Sequence, residues 1–251
     1  MILVFGGTTE GRQVAEILDK LRIPYYYTTK TKINFTGKGN YIYGAMTTSA
    51  IEFFCKKNKI IQIINASHPF AVQLHGAVAD ISIDIELIKF QREFTERISH
   101  PLVHYVDSFD DALFYFKKQK HKSLLALSGV QTISKLQAFW KDYPTWFRIL
   151  DRDSSTMIAT KANFPKKNLL FGYPQSQKEE MKLFDAISPD VIFTKESGRN
   201  GKLEEKIAAA IAMDIPIVIL KKPKISNRYL CINTKEALIH KVQSVFRANL
   251  K

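Results

Sequence analysis

Apolar residues in this chain fall into short continuous runs, and between the runs they recur every three or four positions. Runs of the first kind read as strands buried on both faces; stretches of the second read as helices with one buried side. Their alternation predicts parallel strands joined by helical crossovers. Strands are expected at residues 2–5, 25–28, 61–65 and 85–90. Val14, Ile17, Leu18 and Leu21 share one face of a first helix, which must stop before Pro24, and further helices are expected at 49–58 and 70–83. After a helix at 108–120, whose end is rich in Lys and Gln, the strand series starts again at 124–128, 146–150, 168–171, 191–194 and 215–220. The restart predicts an α/β fold of two Rossmann-like parallel-sheet halves, divided near residue 121 into 1–121 and 122–251, with an active-site cleft between them. Ligands of open α/β sheets lie beyond the carboxyl ends of strands, so chemistry is expected in the loops after these runs.

The first such loop is Gly6-Gly7-Thr8-Thr9-Glu10-Gly11-Arg12, which leaves the first strand and opens the first helix. Glycines let the backbone approach a pyrophosphate without a Cβ in the way, and the helix N-terminus supplies N–H groups and a positive dipole. The spacing is G-G-x-x-x-G, not G-x-G-x-x-G, so the weight comes from the strand-to-helix context. Residues 1–121 are therefore the expected dinucleotide-binding half. The second strand ends in Thr28-Thr29-Lys30-Thr31-Lys32, with no acid for the ribose hydroxyls of NAD. The threonine hydroxyls, Thr28 among them, and Lys30 or Lys32 suit a 2′-phosphate, Arg12 is also in reach, and NADPH is the expected cofactor. Tyr26 and Lys30 have the Tyr-x-x-x-Lys spacing of short-chain dehydrogenases, but they lie on an expected strand, where four residues span about 13 Å.

Four further places carry candidate chemistry. Asn65-Ala66-Ser67-His68-Pro69-Phe70-Ala71 follows a strand, with Pro69 suited to a first helical turn and His68 able to hold a proton near neutral pH. Ser128-Gly129 follows another strand and Arg148 lies within the next. Lys195-Glu196-Ser197-Gly198 follows a later strand, ahead of Gly201, Lys206 and an alanine-rich helix. Such convergent donors suit carboxylates or phosphates.

Composition narrows the picture. The 251 residues carry a net charge of +13, but the basic pairs are spread along the chain and no nucleic-acid motif accompanies them. An anionic small molecule is the expected partner, not a nucleic acid. Cys55 and Cys231 have neither metal nor disulfide spacing, and no metal site is expected. No apolar run approaches the roughly 20 residues of a membrane span, and no leader precedes the first strand, so a cytoplasmic location is expected.

Together these motifs resemble the precorrin-6A reductase family, including the cobalt-precorrin-6A reductases. The family's G-G-T-x-E-[GA]-R is similar to residues 6–12, its D-A-T-H-P-[FY]-A to residues 65–71, and its [TS]-G, R-x-L and K-x-S-G segments to Ser128-Gly129, residues 148–150 and residues 195–198. Asn65 stands where the pattern has Asp, Ser67 where it has Thr, and Asp151 where Pro is usual. The resemblance implies an oxidoreductase that transfers a hydride from NADPH to a tetrapyrrole bearing many carboxylates, giving the dihydro product precorrin-6B in cobalamin biosynthesis. It implies Gly6, Gly7, Thr8, Thr9, Glu10, Gly11 and Arg12 as the cofactor site, to which the end of the second strand adds Thr28 and Lys30, and it leaves His68 or solvent as the proton donor. Ser67, Pro69, Phe70, Ser128, Gly129, Arg148, Lys195, Ser197 and Gly198 would contact substrate. The contrasting readings are an NADPH-binding sensor or scaffold without turnover, and another NADPH-dependent dehydrogenase.

Overall fold

The computed structural model describes residues 1–91, 96–197 and 201–248. Among the described residues, two open sheets of six parallel strands each are covered by helices, the α/β architecture expected. The first sheet begins with β1 (Ile2–Phe5), whose four side chains are all buried. It continues through β2 (Tyr25–Thr29), β3 (Asn40–Tyr43), β4 (Gln62–Asn65) and β5 (Glu86–Phe90). Its sixth strand is β12 (Tyr229–Ile232), from near the end of the chain, and the spatial order is β12-β5-β4-β1-β2-β3. The second sheet contains β6 (Val103–Val106), β7 (Leu124–Ala126), β8 (Thr145–Ile149), β9 (Leu169–Phe171), β10 (Val191–Lys195) and β11 (Ile217–Leu220), in the order β6-β11-β10-β7-β8-β9.

The division of the chain therefore differs from the expected one near residue 121. One compact unit comprises 1–93 with 223–251, and the other comprises 94–222. Strand pairing is the cause. β6 lies before residue 121 but pairs with β11, while β12 lies far beyond it and pairs with β5. Neither short strand was anticipated, nor was β3. His104 and Tyr105 interrupt the apolar run of β6, and β3 and β12 carry exposed positions as edge strands do.

Each sheet reverses its winding once, between β1 and β4 in the first and between β7 and β10 in the second. At such a point the crossovers leave on opposite faces and open a crevice at the strands' carboxyl ends. In the first unit, α1 (Thr9–Lys20) packs Val14, Ala15, Ile17 and Leu18 onto the sheet, and Thr8 caps it by accepting the Gly11 N–H at 3.0 Å. α2 (Thr48–Lys57) buries Ile51 and Cys55 on the other face. α3 (Val72–Ala79) starts two residues later and ends earlier than expected; Asp80 carries the C-cap. In the second unit, α7 (Gln177–Ile187), opened by a Ser176–Glu179 capping box, and α8 (Leu203–Ala212) flank the sheet. Among the described residues no helix is long and apolar enough to cross a membrane.

Candidate functional site

At the switch point of the first sheet, the register sets Phe5 beside both Thr28 and Asn65. The glycine turn after β1 and the His68 turn after β4 therefore emerge side by side. Thr8 joins them by donating its hydroxyl to the Ala66 carbonyl at 2.7 Å. Beneath the glycine turn lies Tyr27, whose ring would be 2.1 Å from a Cβ on Gly6 and whose hydroxyl would be 2.7 Å from one on Gly11. These two glycines are required by packing as much as by any ligand. Gly7 is required by its backbone, with φ +87°, and its N–H donates to Tyr27 Oη at 2.9 Å.

Of the other expected cofactor residues, Arg12 and Lys30 are exposed at this end of the sheet, while Thr9 and Glu10 form the first turn of α1. Thr28 departs from expectation. It is buried between β1 and β3, and its contribution is a carbonyl that accepts the Gly6 N–H at 2.9 Å. Tyr26 lies on β2, so the Tyr-x-x-x-Lys spacing has no helical geometry here.

His68 is exposed, and its Nδ1 accepts the Phe70 N–H at 3.2 Å, which assigns the proton of the neutral ring to Nε2. Pro69 and Phe70 flank it, half-buried. Ser67, expected to meet substrate, is buried instead and donates its hydroxyl to Asn65 Oδ1 at 2.7 Å. That bond belongs to a polar network that the sequence reading missed. Asn65 Nδ2 donates to His75 Nδ1 and to Tyr229 Oη, both at 3.1 Å, and Asn65 Oδ1 accepts the Ser67 N–H at 3.2 Å. His75 Nε2 reaches the carbonyls of His68 and Pro69, each at 3.1 Å, and so holds the turn from below. Burial, with nearby Lys89, lowers the His75 pKa to about 4, and the ring is neutral. Lys89 Nζ donates to the Ser67 carbonyl at 2.8 Å and lies 3.5 Å from Asn65 Oδ1; burial lowers its pKa to about 7. The available signal was Lys89 itself, a charge set in the apolar run Leu87-Ile88-Lys89-Phe90.

At the switch point of the second sheet, Ser128-Gly129 follows β7 and Lys195 ends the adjacent β10. Ser128 Oγ and Thr132 Oγ1 are 2.6 Å apart, an internal turn bond. Gly129 has φ +82° and ψ 166°, a conformation essentially confined to glycine, and a Cβ there would meet nothing within 4 Å. Burial lowers the pKa of Lys195. Ser197 Oγ is buried without a hydrogen-bond partner and would lie 2.1 Å from a Cβ on Gly201. Gly198 lies outside the described residues.

Arg148 departs most from expectation. It donates to both carboxylate oxygens of Glu180, at 2.8 and 2.7 Å, and to Gln175 at 3.0 Å, with side-chain exposures of 6% for Arg148 and 0% for Glu180. Three of the five guanidinium N–H donors are so engaged, and the charge is met by a carboxylate within the protein. Next to this pair Lys206, 4% exposed, donates to the Gly201 carbonyl at 2.7 Å; burial and then the Arg148 charge lower its pKa to about 8. Among the described residues no cluster of His, Cys, Asp and Glu is arranged to hold a metal ion.

The family model for precorrin-6x reductase CbiJ/CobK matches residues 1–247. The chain belongs to that family. Among curated precorrin-6x reductase relatives, the cobalt-precorrin-6A reductase of Methanocaldococcus jannaschii is 25% identical over 259 residues, covering 100% of this chain and 99% of that one. The cobalt-precorrin-6A reductase of Salmonella typhimurium is 25% identical over 232 residues, covering 88% and 87%. A solved structure of CobK precorrin-6A reductase aligns with a TM-score of 0.74 at 17% identity, covering 97% of this chain and 96% of that one, and shares the fold.

Proposed function

We propose that this chain reduces precorrin-6A, or its cobalt form, with NADPH to the dihydro product in cobalamin biosynthesis. The observation that carries the reading is the family match over residues 1–247 together with a glycine turn at the switch point of the first sheet. The residues there suit the cofactor: a helix N-terminus faces the strand ends, and exposed Lys30 and Arg12 stand where a carboxylate would oppose a 2′-phosphate. When bound, NADPH supplies the hydride. The protein binds, orients and excludes water. His68 holds a proton at Nε2 for the ring carbon adjacent to the one that receives the hydride. Lys195 and Ser197 bind substrate carboxylates. Arg148 acts through Glu180, fixing the carboxyl end of β8 against α7.

An anaerobic assay of the purified protein with NADPH and either precorrin-6A or cobalt-precorrin-6A tests this reading. Equimolar NADPH oxidation and tetrapyrrole reduction are expected with at least one of them. Folded protein that oxidises NADPH with neither would overturn the assignment, and NADPH binding without turnover would favour a sensor. Lys195→Ala is expected to raise the KM for the tetrapyrrole about tenfold, as loss of a charged contact does, with little change for NADPH.

A further inference from the structure

Lys89 is among the most buried side chains of the first unit, at 1% exposure, yet the acceptors of its ammonium are neutral: a backbone carbonyl at Ser67 and the amide oxygen of Asn65. Around it stand Asn65 of β4, the turn bearing His68 and Cys231 of β12, with His75 of α3 close enough to feel its charge and Tyr229 joined through Asn65. Burial raises the Tyr229 pKa to about 12 and lowers that of His75 to about 4, so both are neutral around pH 7. No carboxylate hydrogen-bonds to Nζ among the described residues. Among the described residues no carboxylate offers this buried ammonium a counter-charge, and the nearest group that could carry a negative charge is the Cys231 thiol.

The register shows where a counter-charge would come from. Lys89 pairs with Asn65, and Asn65 with Phe5, so the glycine turn begins two strand spacings from Lys89, about 10 Å. Through a poorly solvated interior, charges at that distance interact far more strongly than in water. Ser67, which holds the ammonium, adjoins Ala66, which holds Thr8 of the turn.

We propose that Lys89 is the buried counter-charge of the anionic dinucleotide: occupation of the glycine turn draws a proton from solvent onto its amine, coupling cofactor binding to proton uptake. This rests on the reading of that turn as the NADPH site. An amine with a pKa near 7 is mostly neutral in the free protein at slightly alkaline pH. A bound dinucleotide that raises it by about one unit takes up about half a proton at about pH 7.5, and almost none at about pH 5, where the amine already carries it.

Calorimetric titration of the full chain with NADPH, in buffers of different ionisation enthalpy, measures this uptake. It is expected to be largest at about pH 7.5. Lys89→Met is expected to abolish that part of it and to weaken NADPH binding about tenfold. Lys89→Arg, which keeps the charge and cannot titrate in this range, is expected to abolish it while holding Kd within about threefold. NADPH binding without proton uptake, or with uptake unchanged in both variants, overturns the proposal and would assign any residual signal to His68 or the cofactor phosphate. Failure of NADPH to bind the folded wild type overturns the cofactor reading itself, and the proposal with it.

Discussion

The two sheets share a winding order and each buries a cation near the carboxyl end of a strand at or beside its switch point, but they neutralise it differently. In the second unit Arg148 meets Glu180 in a two-pronged pair, closed by Gln175. In the first, Lys89 has neutral acceptors. A paired buried charge is complete without a ligand and serves to fix elements to one another; an unpaired amine is relieved either by losing its proton or by gaining an anion. The contrast separates two kinds of basic residue that look alike in a sequence. Arg148, a candidate substrate contact by residue type, has its charge met by Glu180 inside the fold, whereas Lys89, set in an apolar run, meets only neutral acceptors among the described residues.

The largest effect should come from breaking the closed pair. Glu180→Ala leaves Arg148 buried without a partner and is expected to cost about 3–5 kcal/mol. The double change Arg148→Met with Glu180→Leu, which removes both charges, should restore most of that loss. Denaturant unfolding of the two variants, followed by a probe in the second unit, checks this. A double variant as unstable as Glu180→Ala would show that the pair contributes more than mutual compensation.

The elements that fix the architecture were largely legible because their signal is local. β1, β2, β4, β10 and β11 are apolar runs, and Pro24 and Thr8 bound α1 by conformational restriction and capping. The exchange of β6 and β12 across the chain was not legible, since strand partnership at a sheet edge depends on long-range packing that no local pattern records. Within the site, the glycine turn and His68 were readable from residue type. The Asn65 network was not, because it joins residues 164 positions apart. It also accounts for an amide at residue 65: Asn65 donates to His75 and Tyr229 while accepting from Ser67, and an ionised Asp accepts only.

The open cation of the first unit should show itself in the pH dependence of stability. The Lys89 pKa is about 7 in the fold against about 10.4 unfolded, so between these values the unfolded chain binds more protons and stability rises with pH. His75 acts in the same direction lower down. With a folded pKa of about 4 against about 6.5 unfolded, its contribution is complete above about pH 6.5 and is lost as pH falls through 4. The loss amounts to up to about 3 kcal/mol for a shift of this size. Lys89→Met should flatten the alkaline limb and shrink the acid limb without removing it, because burial is the larger cause of the His75 shift and the Lys89 charge the next. Denaturation midpoints for wild type and variant across pH, read from the first unit, test both. An alkaline limb that survives Lys89→Met would mean that the ammonium is better compensated than its neighbours imply.

A smaller effect distinguishes the two glycine turns. Gly6 is required by space, because its Cβ would overlap the Tyr27 ring, whereas Gly129 is required by its backbone, because its Cβ would meet nothing. Tyr27→Phe removes the hydroxyl that accepts the Gly7 N–H but keeps the ring, and Gly7 is exposed enough for water to replace the bond. The expected cost is about 0.5–1 kcal/mol, with NADPH affinity held within about threefold, and Gly6→Ala is expected to remain damaging in that background. A further truncation to Tyr27→Ala opens space below the turn and should make Gly6→Ala tolerable, while Gly129→Ala stays costly in every background. NADPH titrations and denaturation curves of these combinations separate the two causes, and a Gly6→Ala defect that persists over Tyr27→Ala would transfer the requirement for Gly6 from the tyrosine to the cofactor.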